Sequence, residues 1–106
     1  MPQLQIIISV EARADLLQLE RYIAERDGEL RAELILGRIW ETIRTLAFMP
    51  GLGSPRPYLN RKTRAFPSPP WLIVYAPLPS LDGIRIVRVV DGRRDLPAVL
   101  GPKRRR

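Results

Sequence analysis

Neither cysteine nor histidine occurs anywhere in this sequence. Without cysteine there is no disulfide, no thiolate metal site and no thiol nucleophile. Without histidine the commonest general base near neutral pH and the commonest zinc ligand are missing as well. Long apolar runs are also absent: nothing approaches the roughly 18–20 residues that a membrane-spanning helix needs. Leu4–Val10 is too short for the hydrophobic stretch of a signal peptide and has no cleavage site behind it. These absences imply a protein that stays in the cytoplasm where it is made, with no cofactor and no metal.

What is present is a chain of 106 residues, 45% hydrophobic and 27% charged, enough for one domain around one core. The expected division is a domain over residues 1–100 and a basic tail over 101–106. Charge is unevenly placed. Residues 1–50 carry six Arg against eight Asp and Glu, net −2; residues 51–106 carry twelve Lys and Arg against three Asp, net +9. Without Lys103-Arg104-Arg105-Arg106 the second half still holds +5. A basic functional surface built from the second half, meeting nucleic acid or an acidic protein, is the expectation. The tail itself reads as a solvated end.

Gln5–Ile8 is β-branched and reads as a first strand. Ser9 is placed to cap a helix, with Glu11 in its first turn. Ala12, Leu16, Leu19 and Ile23 then recur at helical spacing, and Asp27-Gly28 ends the run. A second helix is expected over Glu29–Phe48, with Ala32, Leu36, Ile39, Ile43 and Leu46 inward and Pro50-Gly51 as its stop. Leu30, Leu34 and Trp40 widen its apolar surface, which points to packing on two sides. Gly37, in mid-helix, suggests close approach of another element. Eight of the eleven prolines lie between Pro50 and Pro79, punctuating short strands at Thr63–Phe66, Trp71–Ala76 and Ile84–Val90. Asp95 can cap a last short helix ended by Gly101-Pro102. The order β-α-α-β-β-β predicts an α+β fold, an antiparallel sheet with an N-terminal helical hairpin packed on one face.

Enzyme signatures are lacking. Gly51-Leu52-Gly53 has neither the further glycines nor the following helix of a phosphate loop. Asp15 with Glu20, and Glu25 with Asp27, fall on the polar side of a helical pattern and read as solvated charges. Ser9, Ser54, Ser68 and Ser80 have no histidine, and Lys62 has no supporting serine spacing. The remaining constellation is basic and aromatic: Arg61, Lys62 and Arg64 lead into one strand, Trp71 and Tyr75 lie on the next, and Arg93 and Arg94 follow the last. These seven are the candidate target-binding residues. Arg85 and Arg88 fall on opposite faces unless a bulge intervenes. A covered Arg88 needs a carboxylate, with Asp91 or Asp95 the nearest in sequence, so Arg88 is either half of a structural pair or functional.

Arg64-Ala65-Phe66-Pro67, Leu72-Ile73-Val74-Tyr75, Ile84–Val89 and Gly92-Arg93-Arg94-Asp95-Leu96 resemble, in order and spacing, the C-terminal half of ParE-like toxins, the plasmid-stabilisation members of the RelE/ParE superfamily. Ala14-Asp15-Leu16, Tyr22-Ile23-Ala24-Glu25 and Pro50–Pro57 resemble the helical half, so the likeness covers about residues 5–100. The resemblance implies the RelE/ParE-like α+β fold, a type II toxin–antitoxin pair, and a hetero-oligomer with a cognate antitoxin. It implies either inhibition of DNA gyrase by binding, or ribosome-dependent cleavage of mRNA. A third implied role is that of a non-toxic relative that only binds an antitoxin. In the nuclease reading Arg64 and Arg93 match basic catalytic positions, whereas Leu72 and Val99 stand where further basic and aromatic groups would fall. Guanidinium stabilises charge far better than it transfers protons, so the sequence suits gyrase inhibition better. Asp91 stands where many ParE-like sequences have His before the Gly.

Overall fold

The computed structural model describes residues 4–80 and 82–100. Its elements are β1 (Gln5–Ile8), α1 (Val10–Asp27), α2 (Glu29–Phe48), β2 (Ser54–Pro55), β3 (Arg64–Ser68), β4 (Trp71–Pro77), β5 (Gly83–Asp91) and α3 (Leu96–Leu100). The basic run Lys103–Arg106 and the Gly101-Pro102 stop lie outside the described residues.

Ser9 does two jobs at the start of α1. Its hydroxyl oxygen accepts from the Ala12 N–H at 2.9 Å, as an N-cap should, and its O–H donates to the Val87 carbonyl at 2.8 Å. The helix start is thereby fastened to β5. Gly28 separates the helices at φ +95°, a backbone region open to glycine at little cost. The apolar stripe of α1 is buried as expected, at Ala12, Leu16, Leu19 and Ile23. Along α2, Ala32, Ile39, Ile43, Leu46 and Ala47 are buried, and Leu36 and Trp40 pack at the margin of the core.

Two expectations for α2 fail. Leu30 and Leu34 are 79% and 57% exposed, because the sheet and α1 together cover only one side of the helix. Among the described residues nothing beyond its own stretch of helix lies within 4 Å of where a Cβ on Gly37 would stand, so no close approach of another described element accounts for that glycine.

The strands form one sheet in the order β1-β5-β4-β3-β2. From β2 to β5 the chain meanders antiparallel, but β1 pairs with β5 in parallel, Ile6 opposite Ile84 and Ile8 opposite Ile86. The expected antiparallel sheet is therefore mixed. A parallel neighbour requires a long crossover between the two strands, and the helical hairpin begins that crossover directly after β1. The two-residue β2 is too short to leave a periodic signal and passes for loop in the sequence.

Between β4 and β5 the register slips: Val74 faces Arg88, yet Tyr75 faces Ile86. Val87 is the extra residue of a bulge, which inverts the alternation of inward and outward side chains beyond it. Ile84 and Ile86 before it and Val89 after it all join the main core under the helices. Ala65, Leu72, Val74 and Val90 form a smaller cluster on the outer face, covered by Leu59, Leu96 and Leu100. No described helix is long and apolar enough to cross a membrane.

Candidate functional site

The seven predicted site residues do not form one surface. They divide among two ends of β4 and an outer groove.

At the C-terminal end of β4, Tyr75 is completely buried. Its hydroxyl accepts from the Gly53 N–H at 2.8 Å and donates to the Pro50 carbonyl at 2.7 Å. Burial pushes its pKa above the usual tyrosine value. Arg64, opposite Tyr75 across β3 and β4, donates through Nη1 to the carbonyls of Gly53 at 2.5 Å and Gly51 at 3.2 Å. The glycine at 53 is required: a Cβ there would stand 2.7 Å from the tyrosine oxygen and 2.8 Å from the Ala65 carbonyl. Tyr75 and Arg64 thus hold the Pro50–Gly53 turn against the sheet. That corrects the expectation for Tyr75, which has no surface to offer a partner. Trp71 is corrected in part: its side chain packs at the edge of the main core and lines a cleft instead of standing on an open sheet face.

Arg61 and Lys62 sit exposed in the loop before β3. Lys62 lines a groove of about 550 Å³ between the outer sheet face and α3, together with Ser9, Glu11, Asn60, Arg85 and Arg88.

The N-terminal end of β4 is different. Trp71 lies opposite Asp91, and beyond them the turn carrying Arg93 and Arg94 faces the distal halves of the helical hairpin. Between them is a cleft of about 530 Å³ whose cations, among the described residues, are all arginines: Arg26, Arg31, Arg88, Arg93 and Arg94. Arg26 donates to the Tyr22 hydroxyl at 2.8 Å, with its guanidinium carbon 5.4 Å from the ring centroid. That contact, with the neighbouring Asp27 at 3.3 Å, raises the Arg26 pKa. Arg93 is 77% exposed and holds Asp91 in a forked pair, Nε to Oδ1 at 2.9 Å and Nη2 to Oδ2 at 2.6 Å. The Arg93 N–H also donates to Asp91 at 2.9 Å. These contacts pull the Asp91 carboxyl down to about 2. The indole N–H of Trp71 is buried there without an acceptor.

Arg88 finds neither Asp91 nor Asp95. Its partner is Asp15 of α1, bound at 2.7 Å through Nε and 3.0 Å through Nη2. The same carboxylate accepts from the Val89 N–H at 2.9 Å. Past Ile86 there is no β1 residue left to pair with β5, and Asp15 takes over as the acceptor at that edge. The reading of Asp15 as a solvated charge is therefore overturned. Hydrogen bonding to Asp15 raises the Arg88 pKa against the opposing effect of burial. The sequence offered no direct sign of this pair, since its members are 73 residues apart. The signal that came nearest was the conflict between Arg88 and strand alternation.

Chemically the cleft can hold an oxyanion or an acidic group, with arginine forks suited to bidentate contact. No histidine occurs in the sequence, the three carboxylates of the described lining are each paired with an arginine, and Tyr75, the tyrosine nearest the resembling motif, is sealed in the core.

Comparison with known proteins agrees with this architecture. Residues 6–96 match the family "ParE toxin of type II toxin-antitoxin system, parDE". Toxin ParE3 of Caulobacter vibrioides is 33% identical over 101 residues, covering 93% of this chain and 97% of that protein. The solved structure "Chromosomal ParDE TA system from P. aeruginosa" superposes with a TM-score of 0.68 at 19% identity, over 84% of this chain and 96% of that one, and so shares the fold. This chain belongs to the ParE toxin family of type II toxin–antitoxin systems.

Proposed function

We propose that this toxin inhibits DNA gyrase by binding, in the cytoplasm, and that a cognate antitoxin neutralises it by forming a hetero-oligomer. The carrying observation is the arginine cleft at the N-terminal end of β4, which gathers five arginines against three carboxylates and has no histidine. Family membership supports the same reading, since gyrase inhibition is the activity of the ParE family. The mRNA-cleaving alternative would use Arg64 and Arg93. Arg64 lies opposite Tyr75 and Arg93 just past Asp91, which faces Trp71. Four residues of strand separate those two positions, about 13 Å, and Arg64 is spent on loop carbonyls. A single substrate phosphate would not meet both.

The antitoxin must cover a basic toxin, and the exposed Leu30 and Leu34 on α2 give it apolar contacts beside the charge. Purified toxin added to gyrase and relaxed plasmid should stop supercoiling at near-stoichiometric amounts, and prior addition of the antitoxin should restore it. Supercoiling that proceeds unchanged at a tenfold excess of toxin would reject the proposal.

A further inference from the structure

The cleft at the N-terminal end of β4 has more structure than a patch of positive charge. Three carboxylates reach it and each is already matched to an arginine: Asp15 to Arg88, Asp27 to Arg26, and Asp91 to Arg93. Arg31 and Arg94 are the two lining arginines without an ion pair among the described residues. Beside them stands Tyr22, 51% exposed, its ring already carrying the Arg26 guanidinium. Deeper in the wall is the buried, acceptor-less indole N–H of Trp71. Unpaired arginines, an aromatic ring in the open and an unsatisfied donor are the parts of a site that tracks a phosphate backbone and stacks a base. The volume of about 530 Å³ is that of a small-ligand pocket, too small for a duplex and suited to a short piece of one strand.

We propose that this cleft binds a single-stranded polynucleotide segment, with phosphates on Arg31 and Arg94 and a base against Tyr22 and Arg26. Building on the gyrase reading, the toxin would then engage the DNA of the gyrase–DNA complex as well as the enzyme. A carboxylate-bearing peptide is the less favoured occupant, because it would use the arginines but leave the exposed ring unused.

The test uses the full chain and fluorescein-labelled oligonucleotides of twelve nucleotides, dT12 and rU12, followed by anisotropy over a salt series. Arg31→Ala combined with Arg94→Ala should weaken dT12 binding at least tenfold at low salt. Loss of two phosphate contacts should also flatten the slope of log K against log salt by about 1.4. Arg38→Ala with Arg44→Ala removes the same charge from exposed α2 positions outside the cleft, and should cost less than threefold. In a Trp40→Phe background, saturating dT12 should shift or quench the Trp71 emission, and Tyr22→Ala should weaken binding severalfold. Comparison of dT12 with rU12 identifies whether DNA or RNA is the better source of the strand.

Equal losses in the two double variants would overturn the proposal, as would an unchanged Trp71 signal at saturation. So would a twelve-residue oligoglutamate that binds as tightly and depends equally on Arg31 and Arg94, since that would make the occupant an acidic polypeptide. Supercoiling measured in parallel separates the two readings. Gyrase left uninhibited while dT12 binding depends on the cleft rejects only the proposed target. Inhibition without cleft-dependent binding rejects only the strand site.

Discussion

The two ends of β4 carry the same kinds of residue and do opposite things with them. Each has an aromatic ring on β4 and arginine close by: Tyr75 with Arg64 at one end, Trp71 with Arg93 and Arg94 at the other. At the Tyr75 end the Pro50–Gly53 turn closes over the pair: its carbonyls accept from the Tyr75 hydroxyl and from Arg64 Nη1, and the Gly53 N–H donates to the tyrosine oxygen. At the Trp71 end the ring is half-buried against the main core and lines the cleft. Gly92 is tied to the Pro70 carbonyl at 2.8 Å, but Arg94 beyond it is exposed and the indole N–H has no acceptor among the described residues. Residue type therefore does not separate scaffold from site here. What separates them is whether backbone carbonyls arrive to take the donors.

The largest expected effect sharpens that contrast within the open end itself. Asp15→Ala strands the Arg88 guanidinium and the Val89 N–H together, and should cost about 3 kcal/mol in urea unfolding at pH 7. A loss under about 1 kcal/mol would mean that the pair contributes little and that Arg88 is free for a partner.

Next comes Tyr75→Phe, which leaves the Gly53 N–H and the Pro50 carbonyl unmatched at the closed end. Stability should fall by about 2 kcal/mol, while gyrase inhibition per folded molecule is unchanged. Selective loss of inhibition with full stability would break the comparison, by returning Tyr75 to the site. Smaller still, Arg94→Ala or Arg31→Ala at the open end should move stability by no more than about 0.5 kcal/mol and show its effect in binding.

The smallest effect is on acid stability. Arg93 holds the Asp91 carboxyl at about 2, below the ordinary Asp value of about 3.9. A depressed folded pKa gives stability that is present above the unfolded pKa and fades as pH falls through the folded one. The stability difference between the wild type and Asp91→Asn should thus be constant above pH 5 and narrow between pH 4 and 2. A difference that does not vary over that interval would show that the Asp91–Arg93 fork does not persist in solution.

Much of the fold was legible because its signals are local. The Ser9 cap, the α1 stripe from Ala12 to Ile23, the break at Gly28 and the strand at Gln5–Ile8 each depend on residues within a turn or two of one another. The candidate site was legible only in part. Arg93, Arg94 and Trp71 do border the cleft, but Arg26, Arg31 and Tyr22 were not recognised as members. They lie on the helices, some 40 to 70 residues earlier in the chain, where exposed arginines look like ordinary solvated charges. Asp15 was misread for the same reason.

By itself, then, the sequence determined the helices, the principal strands, the net charge and the absence of histidine and cysteine chemistry, all of which follow from composition and short-range periodicity. Tertiary structure decided the parallel pairing of β1 with β5, the bulge at Val87, the Asp15–Arg88 pair, and which of two similar aromatic–arginine groups stays open. Those outcomes rest on which distant segments meet, and a side chain's role as anchor or as contact is set by the partner that packing delivers to it.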